Sequence, residues 1–262
     1  WMVEPPRGDK VVGNWRETFS TKTVWLVFLQ GIPGCVPWGV VGVFLNDYLH
    51  VNQGLSVDNA TFVLTFFAIG TFLGMVVGAE LGQRLYNWRP WAAAAHMAVA
   101  EILSAPPLVF MICCLRSFKS LALCAVVSGF FASQTGPIVR ACLQNVVAPN
   151  GRGLAFAVFA LFDDLGKGFG PFVIAKIVAT TSRRTAFQLA VLFGWLIGGC
   201  VNGLIAFTLE PDERRLAARD GHHFELVQPH DVSESRTSFK QRRSVGEDAA
   251  RNPLHPTPPS SR

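Results

Sequence analysis

Six apolar segments follow one another along the chain and are separated by short polar connections. A helix needs ~20 mostly apolar residues to cross a bilayer, and every segment reaches that length. The chain is 50% hydrophobic and only 16% charged, and a soluble domain of this size would not carry several such runs. The sequence therefore predicts an all-α polytopic membrane protein with six transmembrane helices, drawn at residues 24–49, 57–81, 91–115, 121–147, 153–179 and 185–209.

The polar parts of the chain define its predicted organisation. Residues 1–22 form a polar segment, residues 23–209 the transmembrane domain, and residues 210–262 a tail whose composition is typical of disorder. Lys and Arg are most frequent in the leading segment, the second and fourth connections and the start of the tail, which predicts that both termini are cytoplasmic. Because the chain starts at Trp1, we interpret it as part of a longer reading frame or as a processed product.

The fifth apolar segment carries Asp163, Asp164 and Lys167 near its middle. Ionisable residues at this depth are rare, usually face a bundle interior or a watery cavity, and often mark the path of a solute or proton. Asp163 and Lys167 are four residues apart, so the spacing predicts that they pair on one helix face. Asp164 points ~100° away and needs another partner, for which Arg140 in the fourth segment is the expected residue. The alternative is a purely structural network that locks the two helices.

Glycine and proline interrupt two of the segments. In the first segment they follow the polar Gln30, and in the fourth they follow Gln134. Broken helices expose backbone carbonyls near the membrane midplane, where transporters bind their substrates, although a plain kink is the alternative. The interrupting residues are Gly31, Pro33, Gly34, Pro37, Gly136 and Pro137.

The second segment has a glycine at every fourth position, which forms a flat stripe on one helix face and predicts close packing against a neighbouring helix. The stripe consists of Gly70, Gly74, Gly78 and Gly82.

The sequence carries no catalytic or metal-binding signature. It has no GxSxG, HExxH, Walker A or dinucleotide-binding pattern in a suitable context, and its six cysteines form no CxxC pair. We therefore expect neither an enzyme nor a metal or cofactor site. The basic residues behind the net charge of +5 are spread over short connections, so we expect no nucleic-acid partner. Glu101, in the middle of the third segment, is a further carboxyl group that could carry a proton.

These features together resemble the carboxy-terminal half of a major facilitator superfamily transporter, over about residues 15–210. The stretch GAELGQRLYNW is similar to the cytoplasmic loop motif G-x-x-x-D-R-x-G-R-R, with Arg84 at the Arg of the motif and Gln83 where the Asp would be. The run from Gly166 to Gly170 and Pro171 resembles the glycine–proline pattern of helix eleven in that family. QGIPGCVPWGV and GAEL look closest to the Spinster-like branch of lipid and small-molecule carriers.

The resemblance implies that the six segments correspond to helices seven to twelve of a twelve-helix fold, in which helices seven and ten line a central cavity. Gln30, Gln134 and Arg140 would then be cavity residues, and Asp163, Asp164 and Lys167 would stay on the substrate or coupling-ion pathway. Glu101 would lie on a peripheral helix, so the resemblance makes it a weaker candidate for the pathway.

The family transports by rocking two halves, so this chain would need its missing amino-terminal half or a second copy as a partner. The expected function is secondary active transport of a small organic or lipid-like solute by alternating access, with proton or ion coupling through the charged cluster. Gln83 and Arg84 would belong to a gating loop. The competing hypothesis is a non-transporting scaffold or receptor-like membrane protein that acts through its cytoplasmic tail.

Overall fold

A computed structural model describes residues 19–219, and all regular secondary structure within that range is helical. A one-turn 3₁₀ helix covers Pro149–Gly151. In chain order the α-helices are α1 (Lys22–Val51), α2 (Val57–Trp88), α3 (Pro90–Cys114), α4 (Phe118–Ser133), α5 (Thr135–Val146), α6 (Arg152–Val178) and α7 (Arg183–Arg219).

Six membrane-spanning elements arise from these seven helices, because α4 and α5 continue one another on either side of Gln134. Five elements are long and apolar enough to cross a bilayer, with Phe118–Val146 counted as one of them. The sixth element is α6, whose 27 residues reach ~40 Å but carry three charges in the middle. The predicted all-α polytopic membrane fold is confirmed.

Proline affects the two interrupted segments differently. The fourth segment is broken as predicted, at the junction of α4 and α5. The first segment is not, because α1 runs as one helix through Pro33 and Pro37. Gly194 of α7 packs on the Pro37 ring and close to the Pro33 carbonyl, so a neighbouring helix supports α1 where proline removes backbone hydrogen bonds.

The last helix extends past Leu209, where the tail was predicted to begin, and ends at Arg219. Its 37 residues reach ~55 Å, well beyond the ~30 Å hydrocarbon thickness of a bilayer. Asp212 in this extension is buried, and Glu210 and Arg214 form an ion pair along it. Residues 220–262 of the predicted tail and residues 1–18 of the leading segment lie outside the described residues.

The core consists of two apolar clusters at opposite ends of the bundle. One contains Leu45, Phe187 and Trp195, and the other contains Phe28, Met97 and Leu209. Between them lies a layer of buried polar side chains, and because side chains in a bilayer must find partners within the protein, this layer ties the helices together. We call it the polar layer: Gln30, Glu101, Ser104, Ser128, Ser133, Gln134, Thr135 and Asn202.

The outer surface is strongly apolar. On α2 in particular, large hydrophobic side chains are exposed along most of the helix, as a lipid-facing surface requires. They include Phe62, Ile69, Phe72, Leu73, Val76 and Val77.

Candidate functional site

The charged residues of α5 and α6 come together on one side of the bundle. Lys167 donates to Asp164 Oδ1 over 2.9 Å, and both side chains are largely exposed. Arg140 of α5 is also exposed, donates to the Gly136 carbonyl over 3.3 Å and places its guanidinium 5.8 Å from the centre of the Phe159 ring. The charges of Arg140 and Lys167 both act on Asp163.

Asp163 occupies a different position from Asp164. Its side chain turns toward α1 and lies so close to Gly31 that a Cβ on that glycine would come within 2.5 Å of Oδ1. Asp163 Oδ1 is buried and has no hydrogen-bond partner among residues 19–219. The thiol of Cys35, one turn further along α1, also interacts with Asp163. Asp163 is therefore the acidic member of the cluster whose side chain packs against α1.

Two predicted pairings within this cluster are wrong. Lys167 pairs with Asp164, three residues before it, and not with Asp163, four residues before it. Residues three apart and residues four apart can both pair on a helix. Asp163 is turned toward α1, where it contacts Gly31, so Lys167 pairs with Asp164. The predicted pair of Arg140 with Asp164 is also not formed, because Arg140 donates to the Gly136 carbonyl and lies over the Phe159 ring, five residues before Asp164 on α6.

The two glutamines predicted to line a cavity lie in the polar layer. Gln134, at the break between α4 and α5, is 2% exposed and its Oε1 lies 2.9 Å from His96 Nε2 on α3. Gln30 is 5% exposed and lies beside Gly34 on its own helix. Both are thus buried between helices, whereas Arg140 is on the open face of α5.

The glycine stripe of α2 packs directly on α4 and α5, which confirms the predicted close packing. A side chain at Gly70 would collide with the Val126 carbonyl, and one at Gly74 with the Phe130 carbonyl. Gly78 lies against Gln134 and Gly82 against Ile138.

Helices α1 and α6 use the same kind of contact. Gly166 packs on the carbonyls of Gly31 and Ile32, and Gly170 packs on the Val36 carbonyl, next to Pro171. Gly39 of α1 packs in return on the Lys167 backbone. Glycine contacts of this kind thus join α1 with α6 and α2 with α4. Gly136 has only the Arg140 side chain near it, and Pro137 lines a surface pocket.

The residues of the predicted gating loop lie in the last turns of α2. Arg84 pairs with Glu80 over 2.8 Å, and Gln83 donates to Asn87 over 2.9 Å. Gln83 also lines a pocket of about 470 Å³ between the end of α2 and α5, together with Tyr86, Asn87, Pro137, Gln144 and Asn145. Among the described residues, Arg84 therefore bonds within its own helix.

Sequence reasoning gave too little weight to one buried group and missed another. Glu101 is 3% exposed and accepts a hydrogen bond from Asn202 of α7. Asp212 is 2% exposed and bonds the start of α1. The burial of Glu101 could have been inferred from the sequence, because it is a carboxyl group in an apolar, alanine-rich helix. The burial of Asp212 could not, because it lies in a charge-rich stretch.

No group of three or more His, Cys, Asp or Glu side chains suited to a metal ion occurs among residues 19–219.

No curated protein matches the chain significantly. The sequence profile described as Major Facilitator Superfamily matches residues 27–253. The chain belongs to the major facilitator superfamily. The predicted family is confirmed, and membership in this family together with the apolar helices makes the chain an integral, multi-pass membrane protein.

One similar structure is a crystal structure of a bacterial homolog of the human lysosomal transporter Spinster, in an inward-facing and unoccupied conformation. It matches with a TM-score of 0.64 at 17% sequence identity. The match covers 81% of this chain and 53% of the other, so the superfamily member described here spans about half the length of that protein. The helical bundle is accordingly half of a major facilitator fold.

Proposed function

We propose that the chain is the carboxy-terminal half of a secondary transporter that moves a small organic or lipid-like solute by alternating access. The observation that carries the proposal is the exposure of Asp164 and Lys167 in the middle of α6, with Arg140 also exposed on α5. Charged side chains at the centre of a bilayer are costly, by ~2.5–3.5 kcal/mol each on insertion scales. The face formed by α5 and α6 therefore requires a watery cavity or a second protein surface in place of lipid.

The second half of the fold supplies such a surface. Because the chain spans about half of the Spinster homolog, the partner is either the missing amino-terminal six helices or a second copy of this chain. Either partner would enclose the charged face between two bundles. Alternating access then consists of the two bundles rocking about that enclosed space.

The charged cluster is the proposed substrate or coupling-ion pathway, with Asp163, Asp164, Lys167 and Arg140 as its members. Asp163 contacts α1 at Gly31, so a change of charge at Asp163 acts directly on the packing of α1 against α6. Gln30 and Gln134 support the pathway from the polar layer behind it.

Two further assignments complete the proposal. Gln83 and Arg84 form a gate at the end of α2, next to the pocket on α5. Both termini face the cytoplasm and flank, in sequence, a helical domain that extends to Arg219 at the end of α7. The contact of Thr23 with Asp212 supports a common side, since it places the start of α1 and the end of α7 at the same end of the bundle.

The branch of the family is proposed from the sequence likeness and the Spinster homolog together. That protein is described as a homolog of the human lysosomal transporter Spinster, which supports a transport role for this branch.

Solute flux in reconstituted vesicles tests the proposal. The chain is purified alone and as the full-length protein with its upstream half, and both are reconstituted into vesicles. Uptake of labelled single-chain lipids and small organic ions is measured with and without a proton gradient. We expect gradient-stimulated uptake by the full-length protein. Absence of flux for every solute, with the protein folded in the vesicles, would favour the scaffold hypothesis, and flux by the chain alone would favour a second copy as the partner.

A further inference from the structure

A second buried carboxyl group lies close to the charged cluster. Glu101 of α3 is enclosed by α1 and α7, with Oε1 facing Gly34 on one side and Gly198 on the other. A Cβ on Gly34 would come 2.6 Å from Oε1, and one on Gly198 would collide with the same atom. Two helices therefore present bare backbone to this one carboxyl group.

The surroundings of Glu101 do not neutralise a negative charge. Its side-chain hydrogen bond comes from the Asn202 amide, and no Lys or Arg forms an ion pair with it among residues 19–219. Asn202 is fully buried, and its Oδ1 has no partner in that range. An ionised carboxylate in a dry site without a cation costs several kcal/mol, so the group is more stable as the neutral acid.

The other titratable groups that face Glu101 increase this cost. Asp163 approaches from α6 and Cys35 from α1, and both interact with Glu101 electrostatically. Asp163 lies against Gly31 and Glu101 against Gly34, so two carboxyl groups reach the same turn of α1 from neighbouring helices. The two carboxylates repel each other when both are ionised, so ionising one disfavours ionising the other. His96, on the same helix as Glu101, is bonded to Gln134.

We propose that Glu101 is the proton-carrying group of the transport cycle, protonated while α1, α3 and α7 are packed together. When α1 moves away from this junction, water reaches the carboxyl group, the O–H bond breaks and the proton passes to that water. Repacking of the junction requires that the carboxylate take up a proton again. The Asp164–Lys167 pair is exposed and mutually neutralised, and in this scheme it binds solute or partner and not the proton.

This inference rests on the proposed transport function, but its protonation can be measured without transport. Infrared spectroscopy of the purified full-length protein detects the C=O stretch of a buried protonated carboxyl group. We expect that band at neutral pH in the wild-type protein, its loss in Glu101→Gln and its retention in the matched control Asp164→Asn. A wild-type spectrum without the band, or a band that persists in Glu101→Gln, would overturn the proposal.

A second variant covers the case in which Glu101→Gln does not fold. Asn202→Ala keeps the carboxyl group but removes its hydrogen-bond donor, so the C=O band should move to a different frequency. An unmoved band would show that the protonated group is not Glu101.

Transport provides the readout that separates proton coupling from a structural role. Glu101→Gln should exchange labelled solute across the vesicle membrane at the wild-type rate, since exchange needs no net proton movement, and should lose accumulation driven by a proton gradient. Retained accumulation, or equal loss of exchange and accumulation in a folded variant, would overturn the coupling role. Absence of flux in the wild-type protein would instead refute the proposed transport function and leave the infrared result standing.

Discussion

The carboxylate of Asp212, near the end of the last helix, caps the first helix at Thr23. Oδ2 accepts hydrogen bonds from the Thr23 backbone N–H at 2.9 Å and from the Thr23 hydroxyl at 2.8 Å. Thr21, the residue at the cap position of α1, makes no side-chain capping bond. A helix start leaves four backbone N–H groups without helical partners and carries a partial positive charge, so a carboxylate is a well-suited partner. Asp212 thus replaces a local cap across 189 positions of sequence.

Removing this cap should weaken the bundle where the chain enters it. Asp212→Ala leaves the Thr23 N–H buried without its partner, and we expect a loss of ~1–2 kcal/mol, the usual cost of deleting a helix cap. Asp212→Asn keeps one acceptor and should lose less. Thermal unfolding of the detergent-solubilised full-length protein measures both. Glu210→Ala, two residues earlier and paired with the exposed Arg214, is the control and should change stability little.

The opposite ends of the same two helices are joined by an ion pair. Asp47 of α1 and Arg183 of α7 are 3.0 Å apart, and each side chain is about half exposed, at 50% and 45%. Such pairs contribute ~0.2–1 kcal/mol, and salt screens them. We expect Asp47→Asn to lower stability within that range at low salt and less at high salt. A double-mutant cycle with Arg183→Gln isolates the pair, and a coupling energy that does not change with salt would contradict this assignment.

Helix α6 offers a matched pair of glycines to test close packing. A Cβ at Gly166 would collide with the carbonyls of Gly31 and Ile32, whereas one at Gly168 would meet nothing within 4 Å. Gly166→Ala should therefore cost ~1–3 kcal/mol through overpacking. Gly168→Ala should be neutral or stabilising by up to ~1 kcal/mol, because alanine favours helix. Unfolding temperatures that fall equally in the two variants would refute the role of Gly166 as a contact point between α1 and α6.

Hydropathy and spacing predict much of this fold. The six spans follow from the apolar runs, and the four-residue glycine spacing of α2 predicts a packing face that the structure finds against α4 and α5. The break at Gln134 follows from the glycine and proline that come after it. These features are local, and local sequence determines them.

Features that depend on distant partners could not be predicted. Lys167 can reach a carboxylate three or four residues away, and only the approach of Gly31 on another helix decides which one. The extension of α7 has the composition of a disordered tail, and it is ordered around Asp212 because Thr23 provides the bond. The importance of Glu101 as a candidate site residue depends on its contacts with Gly34 and Gly198. Both glycines are remote from it in sequence, and nothing in the sequence indicates these contacts.

The charged cluster gives the sharpest prediction for transport. Asp164→Asn removes the partner of Lys167, and Arg140→Ala removes the exposed cation of α5, so the full-length protein should lose uptake in both cases. Membrane expression should stay near wild type, because these side chains are exposed and contribute little to packing. Lys176→Ala, an exposed lysine near the end of α6 that stacks on Phe172, is the control.

Restoring the pair separates its charge from its geometry. If Asp164 and Lys167 act only as a mutually neutral pair, exchanging them in Asp164→Lys with Lys167→Asp should recover uptake, because the two residues stay three apart on one helix face. If instead each charge contacts solute or the other half of the protein, the exchanged variant should remain inactive although it folds. The proposed pathway role predicts the second result. Wild-type uptake in both Asp164→Asn and Arg140→Ala would remove the cluster from the mechanism, because charges on a transport pathway must affect flux when they are deleted.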